Sequence, residues 1–115
     1  MTEVDLVTAL NTFAGNRVYP DTADLNTPLP FIIYQQVGGQ AFNYLGAEAT
    51  DKKNARIQIS IWCETRLQAM ALIRQIENAL ILAPLYGTPL SAAIATYDDN
   101  IKIRGAQQDF SFWVQ

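Results

Sequence analysis

Residues 54–80, NARIQISIWCETRLQAMALIRQIENAL, change period halfway along, and that change decides the fold class. From Ala55 to Cys63 the side chains alternate: Ile57, Ile59, Ile61 and Cys63 fall on one face, and Arg56, Gln58, Ser60 and Trp62 on the other. That is a strand with one face buried. Past Glu64 the apolar positions Ala69, Ile73, Ile76, Leu80 and Ala83 recur at helical spacing, with Leu72 and Ala79 beside them. The spacing predicts an amphipathic helix over 65–83, closed by Pro84.

Cys63 sits at the junction, and strand-to-helix turns are where many enzymes hold a nucleophile. A reactive thiol needs a base or cation to stabilise its thiolate, and the usual base is histidine. The chain has one cysteine and no histidine. Arg66 could favour a thiolate but is too basic to shuttle protons. On the isoleucine face, Cys63 reads as an inert plug in a core. The missing histidine also removes Ser-His-Asp chemistry and, with a lone cysteine, argues against a structural zinc site. No catalytic, cofactor-binding or metal-binding residues are expected.

Upstream, Thr2 with Asp5 resembles a capping box, and Leu6, Leu10 and Phe13 follow at helical spacing with Val7 and Ala14 flanking them. A helix over 3–14 is predicted, stopped by Gly15-Asn16. Residues 17–19 read as a short extended piece. The stretch PDTADLNTPLP, 20–30, has three prolines and no period, hence a surface loop. FIIYQQV, 31–37, reads as a strand ending at Gly38-Gly39. QAFNYLGAEATDKK, 40–53, shows no sustained period and reads as a long loop or hairpin arm. Further strands are predicted near 90–97 and 106–115, with a turn at Asp98-Asp99-Asn100. The whole, 1–115, reads as one α+β domain: a mainly antiparallel or mixed sheet with two helices packed on one face. Were strands 55–63 and 90–97 parallel in it, the intervening helix should cross right-handed.

At 115 residues with 50% apolar and 17% charged residues, the chain has fewer charges than the ~25% of a typical soluble domain. Subunit contacts would account for the deficit. A net charge of −3 gives no basic footprint for gripping nucleic acid. Lys52, Lys53 and Arg56 form the one basic cluster, with Phe42 and Tyr44 upstream; three charges in an acidic chain read as a solvated loop. The pairs Asp21/Asp24 and Asp98/Asp99 lie in turn sequences, where Asp bonds its own backbone. No apolar run approaches the ~20 residues of a membrane span, and the acidic start is unlike a signal peptide. The chain is expected in the cytoplasm of its producing cell before assembly.

Two features point to protein surfaces. Gln58-Ser60-Trp62 and Gln107-Asp109-Ser111-Trp113 repeat one recipe on the second faces of two strands, and tryptophan is enriched where proteins meet. On the long helix, Met70, Arg74, Glu77 and Ile81 form a second stripe turned from the core. Phe42, Tyr44 and Leu45 are bulky apolar residues without a local period to bury them; they are expected to gain order only against a partner. The expected contact set is therefore Phe42, Tyr44, Leu45, Trp62, Met70, Arg74, Glu77, Ile81 and Trp113.

Taken in order, RVYP (17–20), PLPFIIYQQV (28–37), ARIQISIWCET (55–65) and DFSFWV (109–114) resemble the tail-completion, or tail-terminator, family of tailed bacteriophages and prophages. The resemblance implies a virion tail protein that assembles as a ring, commonly of six subunits. Such a ring caps the tail tube, ends its polymerisation and presents a joining surface to head-completion, or connector, proteins. It implies partners that are copies of itself, the tail-tube protein and those connector proteins, with DNA only in transit through the lumen and no membrane. The other readings are a small α+β ligand- or protein-binding module, monomeric or dimeric, and, least favoured, a thiol or carboxylate enzyme.

Overall fold

The computed structural model describes residues 1–24, 26–39 and 53–114. Its elements are α1 (Glu3–Asn11), β1 (Val18–Pro20), β2 (Phe31–Gly38), β3 (Lys53–Cys63), α2 (Arg66–Leu80), β4 (Thr88–Pro89), β5 (Ile94–Asp98) and β6 (Ile103–Val114). Together they make an α+β fold, with a six-stranded mixed sheet and both helices on one of its faces. The expectation for the loop at 40–53, with Phe42, Tyr44, Leu45 and Lys52, lies outside the described residues; Lys53 opens β3.

Both helices start as their caps dictate. The Thr2 side chain accepts from the Asp5 backbone N–H (3.2 Å), and the Asp5 carboxylate accepts from the Thr2 N–H (2.9 Å). These bonds hold the Asp5 carboxyl below the usual carboxylate range. Thr65 caps α2 by accepting from the Gln68 N–H at 3.2 Å. Each helix ends sooner than its apolar period does. α1 stops at Asn11 and unwinds through a turn in which Gly15 and Asn16 take positive φ. α2 stops at Leu80, three residues before the apolar stripe ends and four before Pro84, because the chain already turns at 81–85: the Leu85 and Tyr86 N–H groups both bond the Leu82 carbonyl.

The sheet runs β1-β2-β3-β6, and the far side of β6 is shared by β4 beside Phe110–Ser111 and β5 beside 103–107. All neighbouring pairs are antiparallel except β1 with β2. β3 and β5 are both antiparallel to β6, so they run parallel to one another with β6 inserted between them. Of the strand predicted at 90–97 only the second half forms, as β5; residues 90–93 are not strand, and the two-residue β4 comes just before them. Pro89 cannot donate to a ladder, and Ser91-Ala92-Ala93 lack the branched or aromatic side chains that favour strands.

The alternation read for β3 holds in three dimensions. Ala55, Ile57, Ile59, Ile61 and Cys63 are buried under the helices, against Leu6 and Leu10 of α1 and Ala69, Ile73, Ile76 and Leu80 of α2. β6 contributes Ala106, Phe110 and Phe112 to the same core, with Leu85 closing one end. Each such large apolar side chain, fully removed from water, is worth ~1.5–3 kcal/mol, so this face dominates stability.

Candidate interaction surfaces

Cys63 has no access to solvent, and burial pushes its thiol up to about 11. Desolvation disfavours the thiolate, which is the nucleophilic form. The side chain fills the end of the isoleucine row, as a plug does. Of the two carboxylate pairs, the Asp98 side chain and the Asp24 backbone serve turns. Asp98 Oδ1 accepts from the backbone N–H groups of Asn100 (2.9 Å) and Ile101 (3.4 Å), and the Asp24 carbonyl accepts from Thr27. Among the described residues no three His, Cys, Asp or Glu side chains converge as metal ligands would.

The second face of the sheet is polar in the middle and aromatic towards its ends. Arg56 and Asp109 form an ion pair at 2.7 Å, Gln58 Nε2 donates to the other Asp109 oxygen at 3.2 Å, and Asn54 Nδ2 donates to Ser111 Oγ at 2.8 Å. Cross-strand partners share a face, so these bonds form a ladder along β3 and β6 that tolerates water. The tryptophans at its two ends differ. Trp113 is 46% exposed. Trp62 is half-buried, its ring lying over Gly105, its partner on β6. Phe31 stands opposite Trp62 on the same face and is buried there.

The stripe expected to face outwards on α2 is divided. Arg74 and Ile81 are exposed, whereas Met70 packs against the core and Glu77 is half-buried. The reason for Glu77 is Gln108, a buried amide on the core face of β6. Gln108 Nε2 donates to Glu77 Oε1 at 2.9 Å and to the Ser91 carbonyl at 2.8 Å, tying α2 and the β4–β5 connection to the central strand. Sequence reading missed this link. The one signal was a glutamine at an otherwise apolar position of the β6 alternation.

A cleft of about 350 Å³ opens between the first turn of α1 and the sheet, lined by Glu3, Leu6, Asp21, Tyr34, Gln36 and Ile57 among others. Its polar groups already engage one another: the Tyr34 hydroxyl donates to Glu3 Oε1 at 2.6 Å. Burial first, then that bond and the nearby Glu3 and Asp21 charges, push the phenol up to about 12.

The described surface offers strand edges, two sheet faces and one cleft in which Tyr34 and Glu3 bond one another. Residues 6–115 match the family described as tail completion protein gp17. The chain belongs to that family, and it is a structural protein of the phage tail. Its fold matches a chain from the virion of a native gene transfer agent particle with a TM-score of 0.56. That match spans 90% of this chain and 82% of the other at 18% identity. No curated protein sequence matches the chain. No helix among the described residues is long and apolar enough to cross a membrane.

Proposed function

We propose that copies of this chain close into a ring, of six subunits by the family resemblance, that caps the tail tube, ends its polymerisation and offers head-completion proteins a joining surface. DNA passes through the ring without being gripped, and the chain has no catalytic role. The observation that carries this reading is the family match along 6–115, which covers nearly every element of the sheet and both helices. The net charge of −3 supports it, since a strongly basic lumen would hold the exiting duplex. The buried, protonated Cys63 removes the strongest candidate for a nucleophile.

Within the proposed contact set, Arg74, Ile81 and Trp113 are exposed, whereas Trp62 and Met70 are half-buried and Glu77 bonds Gln108. Phe42, Tyr44 and Leu45 remain proposed anchors against a neighbouring subunit or the tail tube. Deleting the gene from a phage that carries it should yield tails of uncontrolled length, or finished tails without heads, under the electron microscope. Normal particles made without this chain would overturn the capping role. Replacing Phe42 and Tyr44 by Ser should weaken capping while leaving thermal unfolding of the isolated chain nearly unchanged.

The cleft beside Tyr34 favours a second reading, a binding module that stays monomeric or dimeric. Solution mass at several concentrations separates the two.

A further inference from the structure

Exposed apolar side chains are spread unevenly over this molecule. Eleven large hydrophobic side chains are exposed among the described residues, and six of them, Ile81, Leu82, Tyr86, Leu90, Ile94 and Tyr97, come from residues 81–97. That stretch contains no charged residue. The fold lays it along one side of the molecule, from the end of α2 through β4 to β5 on the outer edge of β6. β5 pairs with β6 and with no other described strand, so its second edge is open.

Open edges are normally guarded by charge, proline, a bulge or brevity. β5 has no charge before Asp98 and no proline. The opposite edge of the sheet is guarded. β1 has three residues and ends in Pro20, which lacks an N–H and whose carbonyl is taken by the Thr22 N–H at 2.7 Å. Glu3 and Asp21 line a cleft with its Pro20, and Asp24 lies beside its Tyr19. The only basic residue there, Arg17, spends its guanidinium on the carbonyls of Pro30 (2.9 Å) and Leu29 (3.4 Å).

We propose that the uncharged 81–97 edge is where a second copy of this chain docks, and that the copy continues the sheet across the open side of β5. The proposal rests on reading the protein as an oligomer and names the surface that builds it. Two arguments select another copy as the occupant. Every copy carries −3, so contact between copies meets least repulsion where negative charge is scarce, and residues 81–97 contribute none. Asp98 and the Arg104 guanidinium, 3.9 Å from the Tyr97 ring centre, stand at one end of the edge. The six side chains, with Ile94 on the second face of the sheet and Tyr97 on the helix face, leave uncovered on the order of 700 Å² around this edge, near the ~800 Å² per partner of a standard stable interface. Depletion of charge with exposed tyrosine is also the composition of an interface core.

The experiment is sedimentation of the full chain over a wide concentration range, with three variants. Ile94→Lys and Tyr86→Glu place charge on the proposed edge at exposed positions; Leu67→Lys does the same on the first turn of α2, at a side chain 81% exposed. Circular dichroism melting checks that each variant is folded. The expected result is that either edge variant raises the concentration needed for assembly by about tenfold or more, while Leu67→Lys leaves it unchanged. Hydrogen exchange should show the 94–98 amides gaining protection in the wild-type oligomer relative to the dilute chain. Assembly that ignores both edge charges, or that Leu67→Lys weakens equally, overturns the proposal, as does a wild-type chain that is monomeric throughout. An oligomer that forms despite both edge charges sinks this interface and leaves the ring standing, whereas a wild-type chain that is monomeric throughout counts against both.

Discussion

A β-carbon on Gly105 would stand 2.8 Å from Trp62 Cε3, so the indole occupies space that only a glycine leaves free. The same point lies 2.7 Å from Thr96 Oγ1 and 2.8 Å from the Ile61 carbonyl oxygen. Strands β3, β6 and β5 meet at this notch, which seats a tryptophan flat on the sheet.

Gly105→Ala should therefore destabilise the fold. Two of the three neighbours, a backbone carbonyl and a ring held between strands, have little room to give. Overpacking of this kind costs ~1–3 kcal/mol. Thermal unfolding should fall by several degrees, with Trp62 fluorescence shifted towards that of a hydrated indole.

Thr96 Oγ1 is enclosed beneath that tryptophan without a hydrogen-bond partner. Leaving a buried hydroxyl unpaired costs ~1–3 kcal/mol. Thr96→Val keeps the branched shape and removes the hydroxyl, so it should raise the unfolding midpoint in urea without changing the slope.

Gln108→Ala should act in two places. It strips the partner from both the half-buried Glu77 carboxylate and the Ser91 carbonyl, with an expected loss of ~2–3 kcal/mol. Hydrogen exchange should quicken at 91–93 more than at β3. A uniform change over the whole sheet would mean that the amide stabilises the core without pinning the β4–β5 connection.

Two buried groups set the alkaline limit. The Cys63 thiol is raised from 9.0 to about 11 and the Tyr34 phenol from 10.0 to about 12. In both the neutral form is favoured by the fold, so the stability they contribute is whole below pH 9. It is lost as pH climbs, over about 9–11 for the thiol and 10–12 for the phenol. Urea midpoints should hold steady from pH 7 to 9 and then fall. Cys63→Ala should flatten the first part of that fall at a modest cost in stability and leave assembly intact. Native Cys63 should resist iodoacetamide at pH 8 and react once the chain is unfolded.

Local pattern carried much of this fold. The alternation at 55–63 and the helical recurrence after Glu64 are backbone periods, legible wherever one face of an element must be dry. The capping box at Thr2 and Asp5 lies within a single turn. The absence of histidine, the usual base, favours an inert Cys63, and the fold buries its side chain. Boundaries were less legible near 90–97, because Pro89 and the small residues after it end β4, and the chain pairs with β6 again only from Ile94, in β5.

What the sequence by itself determined was the two helices and the longer strands, the dry face of β3 and the place of Cys63 on it; β4 was not legible in it. Only the tertiary structure decided that β6 enters between β3 and β5, that Trp62 rests on Gly105, that Glu77 turns to Gln108, and that the uncharged run at 81–97 borders an open strand. The physical reason is distance along the chain. Periods and caps are set by neighbours within a few residues, whereas Glu77 and Gln108 are 31 residues apart, Trp62 and Gly105 43, and the β3–β6 partners 41 to 61. Pairing across such spans is selected by the packing of the whole core rather than by any local preference.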